Sequence, residues 1–214
     1  MVSRQRILLI ASQPMEFSGL LRFSSRVRKL DWPVEWARSA ESDGRQFWMV
    51  SNGAGARHAA KATDVALAGC RPEAIVSMGF CGALDPALKI GDIVDGRSST
   101  IVTLDRVART AEEKAALRAK GAMAVEMEAA GVAERAAHYG IPFFCIKAVT
   151  DLAAQSFTVD FNQALRSDGH FATMGILKSA SHNPWKAFPE LFRLSRSCRI
   201  ATRSLGEFIA GCRF

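Results

Sequence analysis

The run Ile141-Pro142-Phe143-Phe144-Cys145-Ile146-Lys147-Ala148-Val149-Thr150-Asp151 is too apolar to lie anywhere but inside a fold, and it ends on an acid. A short apolar run of this kind reads as a fully buried strand. Just before it, Ala122-Met123-Ala124-Val125-Glu126-Met127-Glu128-Ala129-Ala130-Gly131 sets two glutamates around Met127, where a strand or loop gives way to an alanine-rich helix. One helix–strand unit therefore carries carboxylates at both ends. An acid closing a buried strand seldom serves packing alone.

The same alternation recurs upstream. Residues 6–11 read as a strand, and Pro14-Met15-Glu16-Phe17 opens a helix with Glu16 in its first turn, where the helix dipole favours a carboxylate. Phe47-Trp48-Met49-Val50 reads as a second strand, broken by Asn52-Gly53-Ala54-Gly55 and followed by a helix from His58 to Ala68. Ala74-Ile75-Val76-Ser77-Met78 reads as a third, running into Gly79-Phe80-Cys81-Gly82-Ala83. Two βα junctions would then carry glycines that let a ligand approach the backbone. The fold class expected from this order is α/β, a three-layer α/β/α sandwich with a central mixed sheet.

Further on, Leu88 to Val94 and Thr100 to Asp105 read as two more strands joined by Asp95 to Ser99, and Thr110 to Lys120 as a helix. After Asp151 the text turns polar and glycine-containing. Asn183-Pro184-Trp185 then introduces a terminal helix over about residues 185–210. On its wheel Leu191, Leu194, Cys198, Ala201, Leu205 and Phe208 share one face, and Arg193, Arg196, Arg199 and Arg203 the other.

Composition narrows the setting. With 214 residues and 49% hydrophobic content the chain can bury a full core, and a single domain over 1–214 is expected. The five cysteines and four histidines show neither CxxC nor ligand spacing, so a reducing cytoplasm and no metal are expected. The start Met1 to Arg6 followed by Ile7-Leu8-Leu9-Ile10-Ala11 imitates a signal peptide, but its apolar run is about half a typical h-region and reads better as the first strand. The net charge of +7 comes from scattered basic residues without interleaved aromatics, which argues against a nucleic-acid partner.

Breaking the N-glycosidic bond of a purine nucleoside needs a proton for the leaving base, stabilisation of an oxocarbenium-like ribose, and an activated nucleophile. Three acids at three separate strand ends meet those needs. Asp151, with its pKa raised by burial, can donate to the ring nitrogen; Glu128 can bind ribose hydroxyls; Glu16 can orient a water. Glycines at 53–55 and 79–82 can offer N–H groups to phosphate, water or base.

Ala124-Val125-Glu126-Met127-Glu128-Ala129-Ala130 with Lys147-Ala148-Val149-Thr150-Asp151 behind it resembles the superfamily of purine nucleoside phosphorylases and methylthioadenosine/S-adenosylhomocysteine nucleosidases. Met78-Gly79-Phe80-Cys81-Gly82-Ala83-Leu84, Ser51-Asn52-Gly53-Ala54-Gly55 and the stretch from Ala11 to Glu16 are similar to its loops, so the likeness covers roughly residues 6–165. It implies that Asp151 is the acid toward purine N7 and Glu16 the water-activating residue. It also implies that Glu128 is the ribose ligand, that Met127 packs under the sugar, and that Glu126 lies near base or ribose. Gly79, Phe80, Cys81 and Gly82 would border the base, and Gly53 and Gly55 the phosphate or water. No cofactor is implied, and a homo-oligomer is.

Departures from that pattern shape the expectation. Where phosphorolytic members place an arginine and a serine, this chain has Ser77 and Phe80, which favours hydrolysis over phosphorolysis. The family's purine-stacking aromatic falls near Val107, and the stretch from Asp92 to Asp105 is short, which predicts a more open pocket. The shortened, hopanoid-associated branch of the superfamily resembles this chain in its tail, which implies an alternative, lipid-linked adenosine substrate and a peripheral membrane contact through the terminal helix. Two readings from other classes are a non-catalytic nucleoside-binding protein and a membrane-surface protein. Dinucleotide binding is set aside because His58 stands where the third glycine would be.

Overall fold

The computed structural model describes residues 5–214, so the leader-like start at residues 1–4 lies outside the described residues. Nine strands form one mixed sheet: β1 Arg6–Ala11, β2 Ser25–Lys29, β3 Trp36–Ser42, β4 Arg45–Ser51, β5 Ala74–Ala83, β6 Ile93–Asp95, β7 Ile101–Thr103, β8 Ala124–Glu126 and β9 Phe143–Asp151. The helices are α1 Ser18–Leu21, α2 Ala56–Gly69, α3 Ala111–Ala119, α4 Ala129–His138, α5 Phe161–Ala164, α6 Thr173–Ser181 and α7 Pro184–Gly211. Strand order is β2-β3-β4-β1-β5-β8-β7, and β9 pairs with both β5 and β6.

β1 shows why the sandwich has three layers. Its residues alternate between two cores: Ile7 and Leu9 join Phe17, Phe47, Met49 and Leu205 on one side, while Leu8 and Ile10 join Val50, Ala62, Ala66 and Val132 on the other. With period-two side chains, a strand apolar at every position must be covered on both faces. Helices α2 and α4 cover one face, and α1 and α7 the other.

β1, β4, β5 and β9 are mutually parallel, so their C-terminal ends fall at one edge of the sheet, where open α/β sheets place ligands. β5 outlasts its pairing with β1, which stops at Ser77, and Gly82 and Ala83 pair with Val125 and Ala124 of β8 instead. This handover brings the glutamate pair of β8 beside the end of β9.

Several expected boundaries differ. β2 and β3 lie outside the expected strands: every residue of β2 is exposed, so no apolar period marks it. Gly79 to Ala83 is not a βα junction but the continuation of β5, because β9 pairs with it as far as Gly82. Of Leu88 to Val94 only the end is strand, and β6 and β7 pair with β9 and β8 rather than with each other. The polar text after Asp151 contains α5 and α6.

The leucine face of α7 is taken up within the fold: Ala201 and Leu205 are in the sheet core, and Leu191 and Leu194 pack with Phe157, Val159 and Phe161. That face is therefore not free to lie on a membrane. The most exposed large apolar residues of α7 are instead Trp185, Phe188 and Phe192, at 89%, 56% and 76% exposure. Among the described residues no helix is long and apolar enough to cross a membrane.

Candidate active site

A cavity of about 360 Å³ opens at the C-terminal edge of the sheet. Glu16, Phe80, Cys81, Gly82, Val107, Glu126, Met127, Glu128 and Asp151 all line it, so residues scattered over 136 positions of sequence meet in one place. Gly79, Gly53 and Gly55 do not line it directly. The N–H of Gly53 donates to the Ser12 carbonyl and that of Gly55 to the Glu128 carboxylate at 3.1 Å, so both are engaged within the protein.

Glu16 sits in a 3-10 turn, Pro14–Phe17, directly after β1. Its carboxylate accepts from the Ser12 N–H at 2.8 Å, the Gln13 N–H at 3.2 Å and the Ser12 hydroxyl at 3.1 Å. Burial, with the nearby Glu128 charge, still raises its pKa from 4.5 to about 7, against the opposing pull of Lys147 and the hydrogen bonds. A carboxylate balanced near neutrality is matched to general-base work.

Glu126 and Glu128 share one buried cation. Lys147 on β9, fully enclosed, lies 2.8 Å from Glu126 and 3.5 Å from Glu128. Glu126 also accepts from the Thr103 hydroxyl and from the N–H groups of Glu128 and Ala129, both at 2.9 Å, which caps α4. Burial alone would raise it, but the charge and hydrogen bond of Lys147 with those donors hold it below the usual carboxylate range. Burial and the Glu126 charge leave the Glu128 pKa raised, against the longer contact to Lys147 and backbone hydrogen bonds from Gly55 and Met127. Lys147 itself is pushed up by the two carboxylates despite its burial.

Asp151 ends β9 across the cavity. Lys114 of α3, with no exposed surface, holds its Oδ2 at 2.5 Å, and the Thr150 hydroxyl donates to Oδ1 at 3.1 Å. Burial raises the Asp151 pKa, opposed by the charge and hydrogen bond of Lys114 and by Thr150. The two glycines of β5 make room for these acids. A Cβ at Gly82 would meet the Asp151 carboxylate at 2.8 Å, and one at Gly79, whose φ is +141°, would meet the Glu16 carboxylate at 3.2 Å.

The outer wall is apolar and comes largely from residues the sequence did not single out. Phe157, Phe161, Phe171, Ile176 and Leu194 line it, with Phe157 edge-on to Phe161 and Phe161 edge-on to Phe171. Glu190 of α7, itself buried, accepts from the Thr158 N–H at 2.7 Å and the Val159 N–H at 3.1 Å and so fixes this segment. Val107, in the place of the expected stacking aromatic, exchanges two hydrogen bonds with the Asn162 side chain. The aromatic surface thus lies on the opposite segment. Nothing in the sequence marked this wall within the polar text after Asp151, nor Lys114 within the helix expected over Thr110 to Lys120.

The sequence matches the profile of the phosphorylase superfamily over residues 37–98 and 96–174. Similar relatives include a 5′-methylthioadenosine/S-adenosylhomocysteine nucleosidase of Anoxybacillus flavithermus, 26% identical over 60% of this chain and 77% of its own length. The nucleosidase of the same description from Bacillus cytotoxicus is 25% identical over 63% of this chain and 80% of its own. Among solved structures, S-adenosylhomocysteine nucleosidase of Streptococcus pyogenes in complex with 5-methylthiotubericidin superposes with a TM-score of 0.65 at 18% identity, covering 97% of this chain and 98% of that one. The nucleosidase of Colwellia psychrerythraea in complex with adenine gives 0.66 at 18% identity over 96% of each chain.

Proposed function

The chain belongs to the phosphorylase superfamily, and from that membership we propose that it cleaves the N-glycosidic bond of a 5′-substituted adenosine, with water as the nucleophile. The observation that carries this reading is the meeting of Glu16, Glu128 and Asp151 from three separate strand ends around one cavity, each with its pKa raised. Protonated Asp151 gives its proton to a ring nitrogen of the base as the glycosidic electron pair moves onto the base. Ionised Glu128 accepts from the ribose hydroxyls, which concentrates negative charge beside the developing oxocarbenium ion. Ionised Glu16 takes the proton of the water that attacks the anomeric carbon. Met127, at the strand–helix junction, forms the surface under the sugar. Glu126, with its carboxylate engaged by four donors, holds α4 and Lys147 in place rather than touching the substrate.

Hydrolysis is favoured over phosphorolysis because the N–H groups of Gly53 and Gly55 are engaged internally and Arg106, which lines the cavity, is paired with Glu113. The substrates suggested by the relatives' names are 5′-methylthioadenosine and S-adenosylhomocysteine. The experiment is adenine release from each, with and without phosphate. Equal rates with free ribose-type sugar as product support the reading, and a sugar 1-phosphate as main product overturns the hydrolytic part.

The apolar outer wall favours a second, narrower reading in which the 5′ substituent is a bulky hydrocarbon, as on a lipid-linked adenosine. Trp185, Phe188 and Phe192 form one stripe at helical spacing on α7, and Lys178, Lys186 and Arg193 are close in sequence to that region. In this reading the stripe is what meets an anionic membrane, not the leucine face. Flotation with anionic vesicles that fails at low salt, or a sedimentation measurement showing the stripe covered by a second copy of the chain, would replace membrane contact with self-association.

A further inference from the structure

Lys114 is the second enclosed cation paired with an acid that lines the cavity, and the proposed reaction gives it no part. It sits on α3, in a segment that reads as a solvated helix, yet it is fully buried. Its ammonium has three donors, and all three are placed: Oδ2 of Asp151 at 2.5 Å, the Leu152 carbonyl at 2.9 Å and the Gln155 carbonyl at 3.1 Å. The Phe157 ring lies 5.4 Å from the same nitrogen. α3 is itself tied to the segment after β9, because the Ser156 hydroxyl accepts from the Ala111 N–H and the Arg109 carbonyl accepts from the Phe157 N–H. A buried lysine normally needs a reason to be there, since desolvating an ammonium is unfavourable unless it is paired.

Taking the glycosidic cleavage above as its premise, we propose that Lys114 is a positioning residue for Asp151. It holds Oδ2 so that Oδ1 carries the transferable proton, and it balances the carboxylate that remains after the proton has left. The geometry distinguishes this from a packing role. Lys114 contacts one oxygen of one acid, that acid is the one at the end of β9 facing the cavity, and the other oxygen has only the Thr150 hydroxyl. The other titratable groups around the cavity are the Cys81 thiol of β5 and the Cys198 thiol of α7, both held protonated by burial, Glu16, the Glu126–Glu128 pair with Lys147 behind it, and Arg106, which is paired with Glu113. Among these, Lys114 alone brings a cation into direct contact with Asp151.

The sign of the effect follows. An acid catalyst works while protonated, so activity falls as pH rises through its pKa. A cation at 2.5 Å lowers that pKa. Lys114→Met should therefore move the alkaline limb of kcat/KM to higher pH by about one unit or more, and lower the plateau about tenfold because the carboxylate formed on transfer has lost its counter-charge. Lys114→Ala prepared in n-propylammonium should recover both limb and rate, which also serves if the methionine variant is too unstable to assay.

The ionisation of Asp151 can be read without turnover, from the carboxyl infrared band that disappears on Asp151→Asn, recorded with and without Lys114. A shift of that band's titration to higher pH in Lys114→Met, reversed by n-propylammonium, supports the inference. An unchanged titration in a folded Lys114 variant overturns it. If the band shifts but the activity limb does not, the error lies in making Asp151 the acid, and the hydrolytic reading falls instead.

Discussion

Two fully buried lysines pair with acids that line the same cavity, and those acids end in different states. On the β8 side Lys147 is shared by two carboxylates, and the one with four donors, Glu126, is held ionised while Glu128 is left raised. On the β9 side Lys114 meets a single acid with one further donor, and Asp151 stays raised. Burial raises all three, and at Glu126 the charge and hydrogen bond of Lys147, with three further donors, outweigh it. All three line the cavity, and Glu126 is the one whose carboxylate the protein's own donors fill, which leaves Glu128 and Asp151 more capacity for a ligand.

The comparison can be broken most severely at Asp151. Asp151→Asn keeps the shape but has no carboxylic proton, and adenine release should fall by about 10²–10⁴-fold with little change in melting temperature. Next in size, Glu126→Gln leaves Lys147 underpaired in the core and uncaps α4, so it should destabilise by about 3–5 kcal/mol in chemical denaturation. A stable Glu126→Gln enzyme with lost activity would reverse the division between structural and ligand-facing acids.

Glu16 tests the cost of burying an acid beside another acid's charge. Its folded pKa of about 7 lies above the ordinary 4.5, so its favourable contribution is complete below pH 4.5 and is lost as pH rises through 7. Over that window the stability of the wild type should fall relative to Glu16→Gln by about 3 kcal/mol, while the activity of the wild type has an acid limb near 7 that the variant lacks. Parallel stability curves for the two proteins would show that Glu16 does not titrate there. Glu128→Gln, by losing a charged acceptor for ribose hydroxyls, should weaken transition-state binding by about 1.5–3 kcal/mol, seen in kcat/KM, with a smaller effect on stability than Glu126→Gln. Smallest of all, Phe192→Ser on the exposed stripe should alter stability and turnover of a small nucleoside by no more than about 0.5 kcal/mol.

The layers were legible because β1, β4, β5 and β9 are predominantly apolar, and Glu16, the Glu126–Glu128 pair and Asp151 were legible as acids placed where apolar runs end. β2 was not, since Ser25-Arg26-Val27-Arg28-Lys29 is held by backbone pairing to β3 and buries nothing. The glycines of β5 read as chain breaks, whereas in the fold they are strand positions kept bare so that Glu16 and Asp151 fit against them. Lys114 could not be found from Thr110-Ala111-Glu112-Glu113-Lys114, because only the packing of α3 against the segment after β9 turns a solvated-looking lysine inward. Phe157, Phe161 and Phe171 lie in polar surroundings in sequence and become a wall only when Glu190 pins their segment.

The central claim is that Asp151 supplies a proton to a departing purine while water takes the sugar. Single-turnover release of adenine from 5′-methylthioadenosine in phosphate-free buffer, by the wild type and by Asp151→Asn, tests it most directly. Full release by the wild type and a rate at least about a hundredfold lower in the variant is the predicted result. Equal rates in the two proteins, or release only after phosphate is added, would contradict it.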